Sequence, residues 1–200
     1  MNIILCGGGD LAGGELKEID SKALQSAKNK TILVLDLSTN DEGKRSKYRD
    51  FLRSYFEDLG SEDVLFMSEL GNDNSTHWSK CGMVYLPGGN PITLLDNLIK
   101  HNVGEKLKQF QGVVLGNSAG ALVLSKHMIA TKDDDFPETI VKEGLGLVPF
   151  SVEVHYTNSK EEELAGLGLV EDIYCIPENS SISVSLGKIE FSGHVKKLRN

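Results

Sequence analysis

Short apolar runs alternate with amphipathic stretches along the chain as far as residue 115. The runs show no polar–apolar alternation, which is typical of strands buried on both faces, and they lie at residues 3–6, 31–37, 64–67, 83–86 and 113–115. Between them, apolar residues recur at steps of three and four, as on one face of a helix, at residues 16–27, 48–59 and 92–99. This pattern predicts an α/β fold of three layers, in which helices cover both faces of a mostly parallel sheet.

The C-terminal part of the chain has a different pattern. Strand-like segments occur at residues 151–155, 173–176, 181–186 and 188–191, with little helical pattern between the last three. Residues 186–188 (Leu-Gly-Lys) suit a hairpin turn, because glycine adopts the backbone angles that such turns require. We therefore expect antiparallel strands near the C-terminus, at one edge or end of the sheet.

Size and charge narrow the class of protein. The chain has 200 residues and a formal net charge of −8, which fits one domain over residues 1–200. Nucleic acids and anionic membrane surfaces bind basic faces, so the acidic balance argues against both as main partners. No basic, apolar leader and no apolar run of about 20 residues occurs in the sequence, which makes the cytoplasm the expected location.

The cysteines do not have the spacing of a disulfide-bonded or zinc-binding protein. Cys6, Cys81 and Cys175 are odd in number and widely spaced, which favours free buried thiols over disulfides or a zinc site. Free thiols fit a reducing compartment. The first glycine turn, at residues 7–9, does not spell G-x-G-x-x-G because position 12 is alanine, so we expect no nucleotide there.

The strongest chemical signal is the pentapeptide at residues 116–120, Gly-Asn-Ser-Ala-Gly. It has the G-x-S-x-G pattern, follows a buried strand and precedes a helical run. A nucleophile elbow needs small residues on both sides of its serine, because the turn is strained and crowded. The pattern therefore predicts Ser118 as a nucleophile, exposed where the sheet ends and a helix N-terminus favours a developing oxyanion.

A nucleophilic serine needs a base, and His155 is the best placed of the histidines. It ends the predicted strand 151–155, immediately before a loop, whereas His77 and His101 lie in polar surroundings. A carboxylate usually orients such a base. The residues alone do not select it among the candidates between Ser118 and His155, which are Asp133, Asp134, Asp135, Glu138, Glu143 and Glu153.

A second glycine motif lies at residues 87–91, Pro-Gly-Gly-Asn-Pro, also between a strand and a helix. Absence of side chains lets the backbone approach a ligand closely. We expect this turn to supply one N–H group of an oxyanion hole, with Ala119 supplying the other, since the residue after the nucleophile usually does so.

Together these segments resemble peptidase family S51, which contains dipeptidase E and, more distantly, cyanophycinase. The resemblance runs from the first glycine turn to about residue 185, and its most specific segments are Leu-Pro-Gly-Gly-Asn at 86–90, Gly-Asn-Ser-Ala-Gly-Ala at 116–121, Val-His-Tyr-Thr-Asn at 154–158 and Ile-Pro-Glu at 176–178. It implies a class I glutamine amidotransferase-like (flavodoxin-like) fold that carries serine where amidotransferases carry cysteine.

The resemblance also implies roles for particular residues. Ser118 is the nucleophile and His155 the base, and the N–H groups of Gly89 and Ala119 form the oxyanion hole. The triad acid falls on Asp133, 15 residues after the serine. Other branches of the family use a glutamate near that position, which leaves Asp135 and Glu138 as alternatives, and substrate binding is expected at Asn90, Asn117 and Lys160.

One departure from the family concerns specificity. Dipeptidase E holds an N-terminal aspartate with an arginine downstream of its histidine, but no arginine lies between Arg53 and Arg199. Lys160 is the only cation that follows His155 closely, and three glutamates come directly after it. An acidic side chain in a water-poor pocket needs a charged partner, so we predict a weak preference, or none, for an N-terminal aspartate.

The sequence thus predicts a serine peptidase that cleaves small peptides through an acyl-enzyme, with no metal or cofactor. Two alternatives remain open: a serine esterase or amidase on the same elbow, and a catalytically silent amidotransferase-like binding domain. A small peptide is the expected partner, and the sequence leaves open whether the protein forms a homodimer.

Overall fold

Two β-sheets organise the chain in the computed structural model, which describes residues 1–70, 75–133 and 136–198. The strands, in chain order, are β1 (Asn2–Cys6), β2 (Thr31–Val34), β3 (Asp63–Phe66), β4 (Met83–Leu86), β5 (Val113–Asn117), β6 (His127–Ala130), β7 (Ile140–Glu143), β8 (Ser151–Val154), β9 (Ile173–Ile176), β10 (Ser181–Ser185), β11 (Lys188–Ser192) and β12 (Lys196–Leu198). The α-helices are α1 (Lys17–Ser26), α2 (Glu42–Asp58), α3 (Ser75–Lys80), α4 (Pro91–Lys100), α5 (Val103–Gln109), α6 (Ala119–Leu124) and α7 (Glu161–Ala165), and short 3-10 helices occur at Met67–Glu69 and Asn158–Lys160.

The first sheet has the predicted α/β character. Its strand order is β11-β10-β1-β5-β4-β2-β3, and the five strands from β1 to β3 in that order are parallel. Strand β10 pairs antiparallel with β1, and β11 pairs antiparallel with β10. The expected antiparallel strands therefore lie at one edge of this sheet.

Helices cover both faces of the first sheet, because successive residues of each buried strand point to opposite sides. In β4, Val84 and Leu86 join a core cluster with α4, α5 and α6, whereas Met83 and Tyr85 join a second cluster with α1 and α2. The predicted layers of helix, sheet and helix are confirmed. Parallel strands also place their carboxyl ends at one edge, which is where such folds bind ligands.

The second sheet differs from the single sheet that the sequence predicts. Its order is β12-β9-β8-β6-β7, with β6, β8 and β9 parallel to one another and antiparallel strands at both edges. Helix α6 lies between the sheets, in contact with β1, β4 and β5 on one side and with β6 and β8 on the other. All six of its residues are buried, and an apolar surface around the whole helix requires packing on every side.

Among the described residues, no helix combines the length and the apolar character that crossing a membrane requires.

Candidate active site

Ser118 lies at the turn between β5 and α6, in a strained backbone conformation. Its φ is 51° and its ψ is −113°, a region that residues other than glycine rarely adopt. Neighbouring backbone comes too close to Gly116 and Gly120 to leave room for a side chain. A Cβ on Gly116 would lie 2.5 Å from the Gly120 carbonyl carbon, and a Cβ on Gly120 would lie 2.1 Å from the Leu86 oxygen. The Ser118 N–H donates to the Cys6 oxygen of β1 at 3.0 Å, which fixes the turn to the neighbouring strand.

His155 comes from the second sheet to meet this serine. It is the first residue after β8, and its φ of 48° is also in the left-handed region. Its Nε2 lies 2.8 Å from Ser118 Oγ, and its backbone N–H donates to the Gly7 oxygen at 2.8 Å. The pair therefore joins the carboxyl ends of a strand in each sheet, and both backbones are held in conformations that the packing must support.

Glu178 is the carboxylate that contacts the imidazole. Its Oε1 lies 2.9 Å from His155 Nδ1. The residue follows β9, which pairs with β8 in parallel so that Ile176 is opposite Val154. Neighbouring parallel strands end side by side, and a residue just beyond β9 therefore lies next to a residue just beyond β8.

This contact differs from the expectation that a carboxylate of the 133–138 segment, Asp133 first, orients His155. The side chain of Asp133 accepts from the Phe136 N–H at 2.9 Å within its own turn, and Glu138 is exposed on the surface. Asp135 lies outside the described residues. The sequence search was confined to carboxylates between Ser118 and His155, although the Ile-Pro-Glu segment at 176–178, directly after a predicted strand, was a usable signal.

The first glycine turn forms a wall of the site. A Cβ on Gly8 would lie 2.1 Å from His155 Cε1, and one on Gly7 would lie 2.2 Å from the Pro177 oxygen. The Gly8 oxygen also accepts from the Asn179 N–H at 3.0 Å. The turn thus leaves room for the imidazole and links the residues that flank Glu178, a role that its sequence did not reveal.

The second glycine turn lies beside the serine. A Cβ on Gly88 would be 3.5 Å from Ser118 Cβ, and one on Gly89 would be 2.7 Å from Ser38 Oγ. Gly89 has a φ of +119°, which side-chain-bearing residues avoid. The turn therefore lies next to Ser118, on the side where an oxyanion-hole element is needed.

The predicted substrate-binding residues have different surroundings. Asn90 caps helix α4, since its Oδ1 accepts from the Thr93 N–H at 2.9 Å. Asn117 is buried next to Ser118, and its Oδ1 has no hydrogen-bond partner among the described residues. The Lys160 ammonium donates to Thr131 Oγ1 at 2.9 Å and to the Lys132 oxygen at 2.5 Å.

Two cavities meet at Ser118, His155 and Gly89. The first, of about 590 Å³, also contains Lys44 and Arg45 in its wall, and we call it the cation-lined cavity. The second, of about 400 Å³, also contains Asp133 and Glu153, and we call it the carboxyl-lined cavity. Arg45 brings an arginine to this cavity although none lies between Arg53 and Arg199, because α2 places a residue from a distant part of the sequence there.

Several titratable groups are buried in the fold. Burial raises the pKa of Glu153 to about 7, although the Thr131 hydroxyl and Lys160 lower it in part. Burial likewise raises the pKa of Cys6 and of Cys175 to about 12 and that of Cys81 to about 11. The three thiols stay protonated at neutral pH, so none is an activated nucleophile. Among the described residues, no cluster of histidines, cysteines and carboxylates has the arrangement of a metal site.

The fold and the site define a class: α/β proteins that carry a serine on a nucleophile elbow beside a histidine. The chain belongs to Peptidase family S51, whose model matches residues 3–190. Family membership agrees with the resemblance seen in the glycine turns, the elbow and the His-Tyr-Thr-Asn segment.

Individual relatives are distant. The chain is 28% identical to a Peptidase E of Nostoc sp. (strain PCC 7120) over 163 residues, which cover 74% of this chain and 66% of the relative. It is 24% identical to a Cyanophycinase of Geminocystis herdmanii (strain PCC 6308) over 161 residues, which cover 68% of this chain and 59% of the relative. The chain thus spans about three fifths to two thirds of the length of these relatives.

Solved structures share the fold across nearly the whole chain. A peptidase from an acI-B1 actinobacterium superposes with a TM-score of 0.72 at 19% identity, covering 99% of this chain and 93% of the other. A Listeria monocytogenes EGD-e protein assigned as a Peptidase E gives a TM-score of 0.66 at 20% identity, covering 96% and 97%. The likeness supports the flavodoxin-like, class I glutamine amidotransferase-like fold.

Proposed function

We propose that this protein is a serine peptidase that hydrolyses small peptides through an acyl-enzyme. One observation carries the proposal: Ser118 Oγ, His155 Nε2, His155 Nδ1 and Glu178 Oε1 form a continuous relay with separations of 2.8 and 2.9 Å. The names of the relatives in Peptidase family S51 support peptide hydrolysis over other reactions of a nucleophilic serine.

The relay assigns a task to each side chain. Glu178 accepts the Nδ1–H of His155, so that Nε2 presents its lone pair to the Ser118 hydroxyl. As the hydroxyl oxygen attacks the scissile carbonyl, His155 takes its proton, and the carboxylate of Glu178 stabilises the imidazolium that results. The same proton then passes to the leaving amine, and a water molecule activated by His155 releases the acyl group from Ser118.

The tetrahedral intermediate needs donors for its oxyanion. We assign these to the N–H groups of Gly89 and Ala119, because the glycine turn lies against Ser118 and Ala119 opens the helix behind it. Preorganised backbone donors of this kind contribute roughly 3 kcal/mol each to transition-state stabilisation. Asn117 is the third polar contact that we assign to substrate, since a buried acceptor without a partner is costly until a donor arrives.

The proposal is tested with a panel of dipeptides, p-nitrophenyl esters and a fluorophosphonate probe. We expect dipeptide hydrolysis and covalent labelling by the probe, and Ser118→Ala should abolish labelling and lower kcat/KM by about 10⁴-fold or more. Ser159→Ala is a matched control, because that exposed hydroxyl contacts only the Thr157 hydroxyl among the described residues.

Each other outcome has a definite meaning. Cleavage of esters without cleavage of any peptide would replace the peptidase by a serine esterase. Absence of both turnover and labelling would leave a binding domain with an unreactive elbow.

A further inference from the structure

The two cavities that meet at Ser118 carry opposite charge. Lys44, Arg45 and Asp36 are the charged residues of the cation-lined cavity, and Asp133, Glu153 and Lys160 are those of the carboxyl-lined cavity. Because His155 and Gly89 belong to both cavities, a ligand whose reacting bond lies on Ser118 extends into each of them. The reacting bond therefore lies between a wall of net positive charge and a wall of net negative charge.

The charged groups of the positive wall differ in how far they are already paired. Asp36 is already occupied, since its carboxylate accepts from the backbone N–H and the hydroxyl of Ser68 and lies 3.6 Å from Arg49. Arg45 donates from one terminal nitrogen to Glu42 at 2.8 Å and from the other to the Thr39 oxygen at 2.6 Å. Its Nε has no partner among the described residues but is buried, so Arg45 contributes positive charge to the wall more than a free donor.

Of these charged groups, Lys44 has the fewest interactions within the described ranges. It lies in the first turn of α2, is exposed, and within the described ranges makes no ion pair with its ammonium group. An exposed ammonium group at the edge of a cavity can approach an anion without first giving up a partner. Lys44 and Arg45 together suit a carboxylate.

The negative wall is built around a deeply buried group. Glu153 lies on β8, two residues before His155, and is only 3% exposed. Its Oε1 accepts from the Thr131 hydroxyl at 2.8 Å. The charged groups facing it are Lys160, Glu163 and Asp133, and the Cys175 thiol lies nearby on β9.

Lys160 does not neutralise this wall. Its ammonium is shared between Thr131 and the Lys132 oxygen, and it faces both Glu153 and Glu163. With Asp133 in the same wall, carboxyl groups outnumber the lysine there. This surplus of carboxyl groups, of which Glu153 is buried and Asp133 exposed, favours a cationic ligand group, since bringing a further anion there is costly.

We propose that a short peptide lies across Ser118 with its α-ammonium group in the carboxyl-lined cavity and its C-terminal carboxylate beside Lys44 and Arg45. The inference rests on the proposed peptidase function and adds to it the direction of the substrate and the residues that select its two ends. The opposite charges of a free peptide match the opposite charges of the walls. Both ends are then recognised at once, which limits the substrate to short peptides with unblocked termini.

The test compares Ala-Leu with N-acetyl-Ala-Leu and with Ala-Leu amide, each of which removes one terminal charge. In the wild type, acetylation should lower kcat/KM by about 100-fold, because Glu153 is buried, and amidation by about tenfold, because Lys44 is exposed. Glu153→Gln should reduce the acetylation effect to within about fivefold and leave the amidation effect in place. Lys44→Gln should reduce the amidation effect to about twofold and leave the acetylation effect in place.

Lys47→Gln is the control for Lys44, since it removes another exposed cation of α2 that does not line either cavity. Unfolding temperatures show whether Glu153→Gln folds. If it does not, the wild type itself provides the measurement: the Ala-Leu to N-acetyl-Ala-Leu ratio should rise between pH 6 and 7, where the α-ammonium group of Ala-Leu, with a pKa of about 7.7–8.0, is still protonated. Glu153 ionises above its pKa of about 7, whereas ionisation of the catalytic residues affects both substrates and cancels in the ratio.

Several results would overturn the inference. If Glu153→Gln instead reduced the effect of amidation, and Lys44→Gln that of acetylation, the peptide would lie in the opposite direction. Equal rates for all three substrates in the wild type, with Ser118 still labelled by a fluorophosphonate, would refute end recognition and leave the peptidase in place. If no peptide is cleaved, the proposed function fails and the inference falls with it.

Discussion

Strand β8 lies between two parallel neighbours, β6 and β9, and a carboxylate follows each of them. Asp133 comes three residues after the end of β6, and Glu178 comes two residues after the end of β9. Asp133 lines the same cavity as His155, whereas Glu178 Oε1 lies within hydrogen-bond distance of the imidazole, 2.9 Å from Nδ1. The distance from a strand end is therefore not enough to identify a partner.

The path of the chain after each strand explains the difference. Beyond β9, the Asn179 N–H is held by the Gly8 oxygen, which directs the preceding glutamate toward the imidazole. Beyond β6, Asp133 closes its own turn: its N–H donates to the Phe136 oxygen and its carboxylate accepts from the Phe136 N–H. One carboxylate is presented to the neighbouring strand, and the other is used locally.

The largest expected change in kcat/KM comes from replacing each of these two carboxylates, in turn, by an amide. Glu178→Gln should lower kcat/KM by about 10³-fold, because an amide no longer stabilises the imidazolium and can favour the wrong tautomer. Asp133→Asn should change it by less than about threefold, since the amide oxygen can still accept the Phe136 N–H. Steady-state kinetics on Ala-Leu measures both.

The reverse ranking of these two variants would restore the 133–138 segment as the source of the triad acid. Glu138→Gln is the matched control within that segment, because Glu138 is exposed, and we expect wild-type rates from it.

The next largest expected change in kcat/KM comes from the first glycine turn, which confines the imidazole of His155. Gly8→Ala would place a Cβ 2.1 Å from His155 Cε1, at a φ of +100° that disfavours alanine. We expect kcat/KM to fall by about 10²-fold, because small displacements of catalytic groups cost rates of that order, with about 1–3 kcal/mol of lost stability.

Gly60→Ala separates displacement of His155 from backbone strain. Gly60 also has a positive φ, of 91°, but a Cβ there meets no atom within 4 Å. It should lose about 1 kcal/mol of stability while keeping its activity. Equal activity of Gly8→Ala and the wild type would show that the imidazole is not confined by this turn.

Sequence reasoning succeeded where one strand and its own turn contain the information. The elbow around Ser118, the strand before it and the strand ending at His155 are local patterns, and the helices on both sides of the first sheet follow from periodicity. It failed where two distant segments meet. Glu178 and Arg45 reach the site only through the pairing of β9 with β8 and the packing of α2, and neither pairing can be derived from the spacing of residues along the chain.

The smallest expected effect concerns the β6 side of the comparison, where Asp133 and Glu153 form the carboxyl-lined cavity. An N-terminal aspartate would bring a further carboxylate toward these groups, at a cost of about 1 kcal/mol at the effective dielectric of a partly solvated site. We therefore expect kcat/KM for Asp-Leu to be about fivefold below that for Ala-Leu, and Glu153→Gln to reduce the difference to about twofold. Leu-Leu serves as a neutral control for side-chain size. A preference for Asp-Leu above roughly 100-fold, about 2.7 kcal/mol, would contradict this prediction and would mean that Arg45 or Lys160 recognises the aspartate.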